Sequence, residues 1–215
     1  LNQWALAGKL DVTKVSFNAF TQCVDKYALF DSGAEIGRNC GPVLIKKPNT
    51  VLSLTSSIAI PGENTTANML LTLAFPTYTN KEEFLFSEIE EKVMNEEVDA
   101  GLIIHENRFT YQEKGLEKVL DLGSFWENKT GLPIPLGGIV ANRKLAKEKQ
   151  KQIESILSKS VEYAFTNPKS SSEYVKFHAQ EMDTKVIDAH INLYVNEFSI
   201  SLGKEGKSAV KKVFE

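Results

Sequence analysis

The sequence contains few of the residues, and none of the patterns, that mark several common classes of protein. Two cysteines (Cys23 and Cys40) and three histidines occur in 215 residues, with no C-x-x-C pair, so we expect buried free thiols and no metal site. No apolar run approaches the roughly 20 residues that span a bilayer. The net charge of −3 offers no basic surface, so neither a membrane nor a nucleic acid is an expected partner.

Phosphate-binding signatures are also missing. There is no G-x-G-x-x-G fingerprint, and the loop at Gly62 does not end in Gly-Lys-Ser/Thr. What is present is ordinary for a globular protein: 42% hydrophobic and 25% charged residues, enough to bury a large core in one domain or in two compact lobes. Free thiols are typical of a reducing compartment, so we expect a cytoplasmic location. Nothing in the sequence decides the oligomeric state.

Strand and helix signals alternate along the chain, which is typical of an α/β fold. Strands are predicted at residues 10–16, 41–45, 57–60, 83–86, 100–104, 120–122 and 139–141. Helices are predicted from residue 17 to 27, at 66–75, 88–98 and 112–119, and throughout the chain after residue 143. The acidic positions of the 88–98 helix are predicted to form a solvated face. We predict two lobes: residues 1–50 with 141–215, and residues 51–140. Small molecules usually bind in a cleft between lobes.

Two segments join a predicted strand to a helix amino terminus. In the first, Ser16 is placed to cap a helix, and Lys14 supplies a charge that suits a carboxylate. In the second, residues 61–67, Gly62 permits a tight turn, and Thr65 and Thr66 place hydroxyl groups next to first-turn amides. Such ends can hold an anion. A capping serine beside a surface lysine, and a merely well-capped helix, are the alternatives.

A third segment begins where the apolar run of residues 101–104 ends in His105 and Glu106. Ligands collect beyond the carboxyl ends of strands in open α/β sheets, and histidine exchanges a proton near neutral pH. His105 is therefore a candidate general base, with Glu106 either orienting it or pairing with Arg108. The alternative is a structural histidine that caps the strand. His178 and His190 are weaker candidates, and His190 is predicted to be a core histidine.

Several longer motifs, taken together, resemble one family. They are Asp11-Val12-Thr13-Lys14-Val15-Ser16-Phe17, Pro61-Gly62-Glu63-Asn64-Thr65-Thr66-Ala67, Asp99-Ala100-Gly101-Leu102-Ile103-Ile104-His105-Glu106, Arg108-Phe109-Thr110-Tyr111, Thr130-Gly131-Leu132-Pro133-Ile134-Pro135-Leu136-Gly137-Gly138 and His190-Ile191-Asn192-Leu193-Tyr194-Val195-Asn196. The sequence with these motifs is similar to the 1,4-dihydroxy-6-naphthoate synthases of the futalosine route to menaquinone. The resemblance covers essentially the whole chain.

The resemblance implies a two-lobed fold similar to type II periplasmic binding proteins, with a ligand cleft between the lobes. It implies a cytoplasmic lyase that converts cyclic dehypoxanthine futalosine to 1,4-dihydroxy-6-naphthoate without a cofactor. His105 matches the family's proton acceptor. The family's substrate-binding positions match two short groups: Lys14, Val15 and Ser16; and Thr66 and Ala67.

One difference and two rival functions accompany the resemblance. The family pattern begins with a strand and a Ser-Pro-Cys-Pro-Asn-Asp-like loop, and this sequence starts after that unit, so we expect the first lobe to lack that strand. A chorismate dehydratase-like enzyme shares the fold and the pathway, although the Ile-Ile-His-Glu and Pro-Gly-x-x-Thr-Thr-Ala segments argue against it. The rival of another class is a non-catalytic protein that binds a carboxylate or another solute.

Overall fold

The computed structural model describes residues 1–178 and 183–215, and it divides the chain into two compact units. The first unit comprises Leu1–Gly37 and Pro135–Glu215, and the second comprises Arg38–Ile134. The expected division placed residues 38–50 in the first lobe and 135–140 in the second. Residues 38–50 instead belong to the second unit, because residues 43–46 pair within the second sheet. Residues 135–140 belong to the first unit, because residues 137–142 pair within the first sheet.

The helices and strands follow in chain order. Residues 1–37 form α1 (Asn2–Leu6), β1 (Val12–Ser16), α2 (Phe17–Thr21), β2 (Tyr27–Leu29) and β3 (Glu35–Gly37). The second unit contains β4 (Val43–Lys46), β5 (Ile58–Ile60), α3 (Thr66–Ala74), β6 (Lys81–Glu83), α4 (Ile89–Met94), β7 (Ala100–Ile103), α5 (Asn107–Thr110), β8 (Glu117–Asp121) and α6 (Leu122–Thr130). The chain returns through β9 (Ile134–Asn142) to α7 (Lys147–Thr166), α8 (Ser172–His178), α9 (Thr184–Tyr194), α10 (Glu197–Ile200) and α11 (Gly203–Val213).

The sheet of the first unit is built on β9. This nine-residue strand pairs antiparallel with β1 and with β2, and β3 pairs with it as well. Glycine is required at Gly137, because a Cβ atom there would lie 2.9 Å from the backbone oxygen of Val15. The side chains of Val15, Phe17 and Tyr27 are buried in the core beneath this sheet.

The sheet of the second unit has the strand order β6-β5-β7-β4-β8. β5 is parallel to both β6 and β7, and β4 runs antiparallel to β7 and β8. The carboxyl ends of β5, β6, β7 and β8 therefore lie at one edge, called the carboxyl edge below. The core contains Val43, Ile45, Ala59, Ile89, Val93, Val98, Ile103, Tyr111 and Leu116.

The structure differs from the predicted elements at several places. The predicted helix at residues 112–119 is wrong: turns lead through Gly115, at φ +76°, into β8. The predicted strand at 83–86 is observed earlier, as β6. The helix after β1 ends at Thr21, and Tyr27 instead opens β2, where its buried phenol donates to the Leu10 carbonyl at 2.7 Å. The helices predicted after residue 143 are observed, except that residues 179–182 lie outside the described residues.

Candidate functional site

The carboxyl edge of the second unit gathers two of the three predicted segments. Residues 61–65 connect β5 to α3, and His105 follows β7, the parallel neighbour of β5. Loops after adjacent parallel strands meet at the same edge, which is where open α/β sheets bind ligands. The remaining segment, Lys14 to Ser16, belongs to the first unit.

Hydrogen bonds fix the loop between β5 and α3. Gly62 has φ +139°, a conformation that favours glycine. Thr65 is the N-cap of α3: its hydroxyl donates to the Gly62 carbonyl at 2.7 Å and accepts from the Asn68 amide at 3.1 Å. The backbone amide of Glu63 donates to the carboxylate of Glu83, at the end of β6. The loop is thereby held at both its turn and its helix end.

Lys81 supports the same loop from the start of β6. Its Nζ donates to Asn68 Oδ1 at 2.9 Å and to Thr72 Oγ1 at 2.7 Å. Asn68 Nδ2 in turn donates to the Glu63 carbonyl at 2.9 Å. Partial burial lowers the pKa of Lys81, because it disfavours the charged ammonium. These contacts order the amino-terminal half of α3.

Thr66 and Ala67 form the first turn of α3, and both are buried, at 3% and 4% exposure. Amides in the first turn of an α-helix have no partner within the helix, and the helix dipole favours an acceptor there. Backbone groups and a small hydroxyl are what this turn can offer to a carboxylate or a substrate hydroxyl. The prediction for these two residues stays a prediction.

His105 occupies an unusual backbone position just past the end of β7. Its φ is +58°, in the left-handed region that costs a residue with a Cβ roughly 1–2 kcal/mol. Its half-buried ring meets the ring of Phe86 edge to face, with centroids 5.0 Å apart and planes at 68°. Strain of this kind is concentrated at functional sites, where the surroundings over-determine the conformation.

Arg108 does not form the predicted ion pair with Glu106. Its guanidinium forms an ion pair with Asp121, with Nη2 and Oδ2 2.5 Å apart, and both side chains are at most 15% exposed. The same guanidinium donates to the carbonyls of Gly41 at 2.8 Å and Asn39 at 3.0 Å. Arg108 therefore ties the segment after His105 to the chain that leads into β4.

The sequence predicts no functional role for Asp121 or Glu90. Asp121 also caps α6, since Oδ1 accepts from the Gly123 and Ser124 amides at 2.9 and 3.1 Å. An aspartate directly before a helix is a recognisable N-cap signal. Glu90 belongs to the acidic run that was predicted to be solvated, yet it is 1% exposed. No sequence pattern distinguishes it from its exposed neighbours, because its burial depends on α4 packing against β7.

The first unit places Lys14, Val15 and Ser16 at the end of β1. Ser16 is the predicted N-cap of α2: its Oγ accepts from the Ala19 amide at 3.2 Å and from Asn2 Nδ2 at 3.1 Å. Lys14 is 51% exposed and pairs with Glu35 at 2.5 Å. The side chain of Val15 is buried at 2% exposure, so only its backbone could contact a ligand.

The other two histidines belong to the first unit. His178 is exposed on α8, where its ring lies beside those of Tyr174 and Phe177. His190 is half-buried on α9, with its ring centroid 4.7 Å from that of Tyr194.

A cavity of about 380 Å³ opens in the first unit. It is lined by Leu29, Asp31, Glu154, Leu202, Lys207 and Val210. None of the predicted site residues lines it, so the chemistry of the carboxyl edge, and not cavity size, indicates the candidate site.

Among the helices of the described residues, none combines the length and the apolar character that a membrane span requires.

Comparison with solved structures defines the class of protein. The ligand-binding component of an ABC-type import system from Staphylococcus aureus superimposes with a TM-score of 0.67 over 98% of this chain and 75% of that one, at 10% identity. Likeness at that identity shows the fold alone: the two-lobed α/β fold of periplasmic binding proteins. Protein AF1704 of Archaeoglobus fulgidus is more similar, with a TM-score of 0.91 and 35% identity over 100% of this chain and 80% of that one.

Comparison of sequences then identifies the family. A sequence model of the menaquinone biosynthesis family matches residues 1–215, and the chain belongs to that family. A 1,4-dihydroxy-6-naphthoate synthase of Thermus thermophilus is 42% identical over all of this chain and 78% of its own length. The enzyme of the same name from Streptomyces coelicolor is 41% identical over 98% of this chain and 76% of its own length.

Proposed function

We propose that this chain is a 1,4-dihydroxy-6-naphthoate synthase, a carbon–carbon lyase that converts cyclic dehypoxanthine futalosine to 1,4-dihydroxy-6-naphthoate. Its membership of the menaquinone biosynthesis family and two relatives of that name, at 42% and 41% identity, support the reaction. The structural observation that carries the proposal is a strained, half-buried histidine at the carboxyl edge of parallel strands. We also propose a cytoplasmic location, which the two buried free cysteines favour.

His105 is proposed as the proton acceptor. In the cleavage we envisage, it removes the proton of a substrate hydroxyl, and the electrons of that O–H bond form the carbonyl of the departing sugar-derived fragment. The electrons of the broken carbon–carbon bond stay on the ring system, which takes up one proton and becomes aromatic. The step needs neither an oxidant nor a reductant. A positioned base of this kind contributes roughly 10²–10⁴-fold to a rate.

Five residues are proposed to bind the substrate. Lys14 would pair with its carboxylate, while Ser16 and the backbone of Val15 would contact its polar groups. Thr66 and Ala67 would offer the first turn of α3 to another acceptor. The exposed ammonium of Lys14 and the helix start at Thr66 support these roles.

The direct test is product formation by purified full-length protein, followed by mass spectrometry. With cyclic dehypoxanthine futalosine, we expect 1,4-dihydroxy-6-naphthoate from the wild type and a loss of about 10²–10⁴-fold in kcat from His105→Asn. Asparagine tolerates the left-handed backbone, so this variant should keep its fold. Near-wild-type turnover by a folded His105→Asn protein would contradict the role of His105. Turnover of chorismate instead, or binding of the substrate without product, would identify a different function.

A further inference from the structure

Glu90 is a buried carboxylate to which the proposed reaction assigns no role. Its side chain is 2% exposed, and Oε2 accepts from Lys114 Nζ and from Asn107 Nδ2, each at 2.5 Å. Oε1 is buried and has no hydrogen-bond partner among residues 1–178 and 183–215. Removing a carboxylate from water is costly, and a buried ion pair is weak evidence for stability. Stability alone is therefore a weak explanation for this arrangement.

Asn107 begins α5 only two residues after His105. The left-handed conformation of His105 persists only where its surroundings over-determine it. Within the turn itself, the Arg108 amide donates to the His105 carbonyl over a long 3.3 Å. A shorter hydrogen bond, from the Phe109 amide to the Glu106 carbonyl at 2.9 Å, also closes the turn, and the side chains that follow His105 add contacts that fix it.

Two consecutive side chains anchor this turn to different elements. Asn107 is held by Glu90 on α4, and Arg108 is held by Asp121 and by two backbone carbonyls of the chain before β4. α4 is itself pressed against β7: a Cβ at Gly101 would lie 2.6 Å from Ile89 Cγ2 and 2.7 Å from Val93 Cγ2. The anchor at Glu90 is thus rigidly placed relative to the strand that ends at His105.

We propose that Glu90 is a positioning residue for His105, acting through Asn107, with the ammonium of Lys114 paired to the same carboxylate oxygen. The inference rests on the proposed role of His105 as proton acceptor. A hydrogen bond to an ionised carboxylate is stronger and more directional than one between neutral groups. Misplacing a reacting group by about 1 Å can cost about 10²-fold in rate. Loss of the anchor should therefore lower kcat, while KM, which depends on the substrate-binding residues, changes little.

The test exchanges donor and acceptor across the contact. Asn107→Asp sets a new carboxylate against Glu90 and should lower kcat by about 10²-fold with little change in KM. Adding Glu90→Gln supplies an amide that can donate to that carboxylate, so the double variant should recover most of the lost kcat. Asn95→Asp is the matched control, because Asn95 also donates to a lysine-paired glutamate, Glu97, but on the exposed end of α4. It should leave kcat unchanged.

The outcomes separate the two proposals. If His105→Asn is inactive while Asn107→Asp is folded and has wild-type kcat, the positioning role of Glu90 is wrong and the role of His105 stands. A lowered Tm with unchanged kcat in Asn107→Asp, or a double variant no better than Asn107→Asp, would also overturn the positioning role. If His105→Asn retains full turnover, the proposed role of His105 is wrong, and the positioning role of Glu90, which rests on it, is wrong as well.

Discussion

The carboxylate of Asp31 fastens the end of β2 to the carboxy-terminal helices of the first unit. Oδ2 accepts from Ser201 Oγ at 2.5 Å, and Oδ1 lies 2.9 Å from Lys207 Nζ. Partial burial raises the pKa of Asp31, but the hydrogen bond from Ser201 and the ammonium of Lys207 outweigh it, so its pKa lies below the usual value. The ionised form therefore stabilises the fold.

This shift predicts a pH-dependent stability. Because the folded pKa of Asp31 is lowered, its contribution is complete above the unfolded pKa of about 3.9 and disappears as the pH falls through the folded value. We expect Asp31→Asn to lower the Tm near pH 7 by about 2–4 °C or less, since the pair is partly exposed and screened. Thermal unfolding from pH 7 to pH 3 should show the difference closing. Glu215→Gln, which removes a more exposed carboxylate from its ion pair with Lys212, is the control. A pH-independent difference for Asp31→Asn would contradict the prediction.

At the scale of elements, the close packing of α4 against β7 determines the geometry of the candidate site. Gly101 lies under Ile89 and Val93 with no room for a side chain. Because Glu90 is on the same helix, the distance between α4 and β7 also decides whether its carboxylate reaches Asn107. Packing in the core and geometry at the carboxyl edge are therefore coupled through one short helix.

A methyl group at Gly101 tests this coupling. Gly101→Ala should destabilise the protein by about 1–3 kcal/mol, because α4 must move or its side chains must leave their preferred rotamers. The displaced helix should also lower kcat. Combining it with Val93→Ala, which makes room, should cost less than the sum of the two single changes. Denaturant unfolding and steady-state kinetics measure both effects; additive losses of stability would argue against the close contact.

The elements that the sequence predicts best are those defined by local signals. β5, α3 and β7 combine an apolar run with an adjacent cap or break, so their limits were predicted within a few residues. β2 and β3 are three residues each and are stabilised by pairing with β9, which begins about 100 residues later. No local pattern reports such a partner.

The contrast between local signals and long-range pairing also applies to the residues of the candidate site. Ser16 as an N-cap and the turn at Gly62 follow from their immediate neighbours and are observed. The ion pair of Arg108 with Asp121, and the burial of Glu90, depend on which strands become neighbours in the second sheet. Glu106 is the acidic residue nearest to Arg108 in the sequence, but the fold places Asp121 within ion-pair distance of Arg108 instead.

At the scale of the whole molecule, the two units differ in how their chain is assembled. The second is one continuous stretch with its own sheet and core, whereas the first combines two segments separated by it. In the first unit, β1 is paired along its full length with β9. The earlier segment therefore depends on the later one for its backbone hydrogen bonds.

Hydrogen exchange of the full-length protein should reveal this dependence. Amides of β1, and those amides of β9 that donate to β1, should exchange with similar protection, within about 1 kcal/mol, because both sets belong to one ladder. Strands β4, β5 and β7 should share a second, common level of protection. Measurement by mass spectrometry at increasing urea resolves the two sets. Early loss of protection in β1 while the β9 amides that donate to β1 stay protected would contradict the prediction.

The central position of β9 has a consequence for biosynthesis. During translation, the first 37 residues emerge long before residue 142, the last residue of the strand that completes their sheet. At roughly 5–20 residues per second, the delay is about 5–20 s. For that interval the nascent amino-terminal segment carries apolar residues such as Phe17 and Tyr27 without their sheet partner, while residues 38–134 can finish folding behind it. Residues 38–134 can therefore complete their fold before residues 1–37, which stay open to chaperones until β9 has been synthesised.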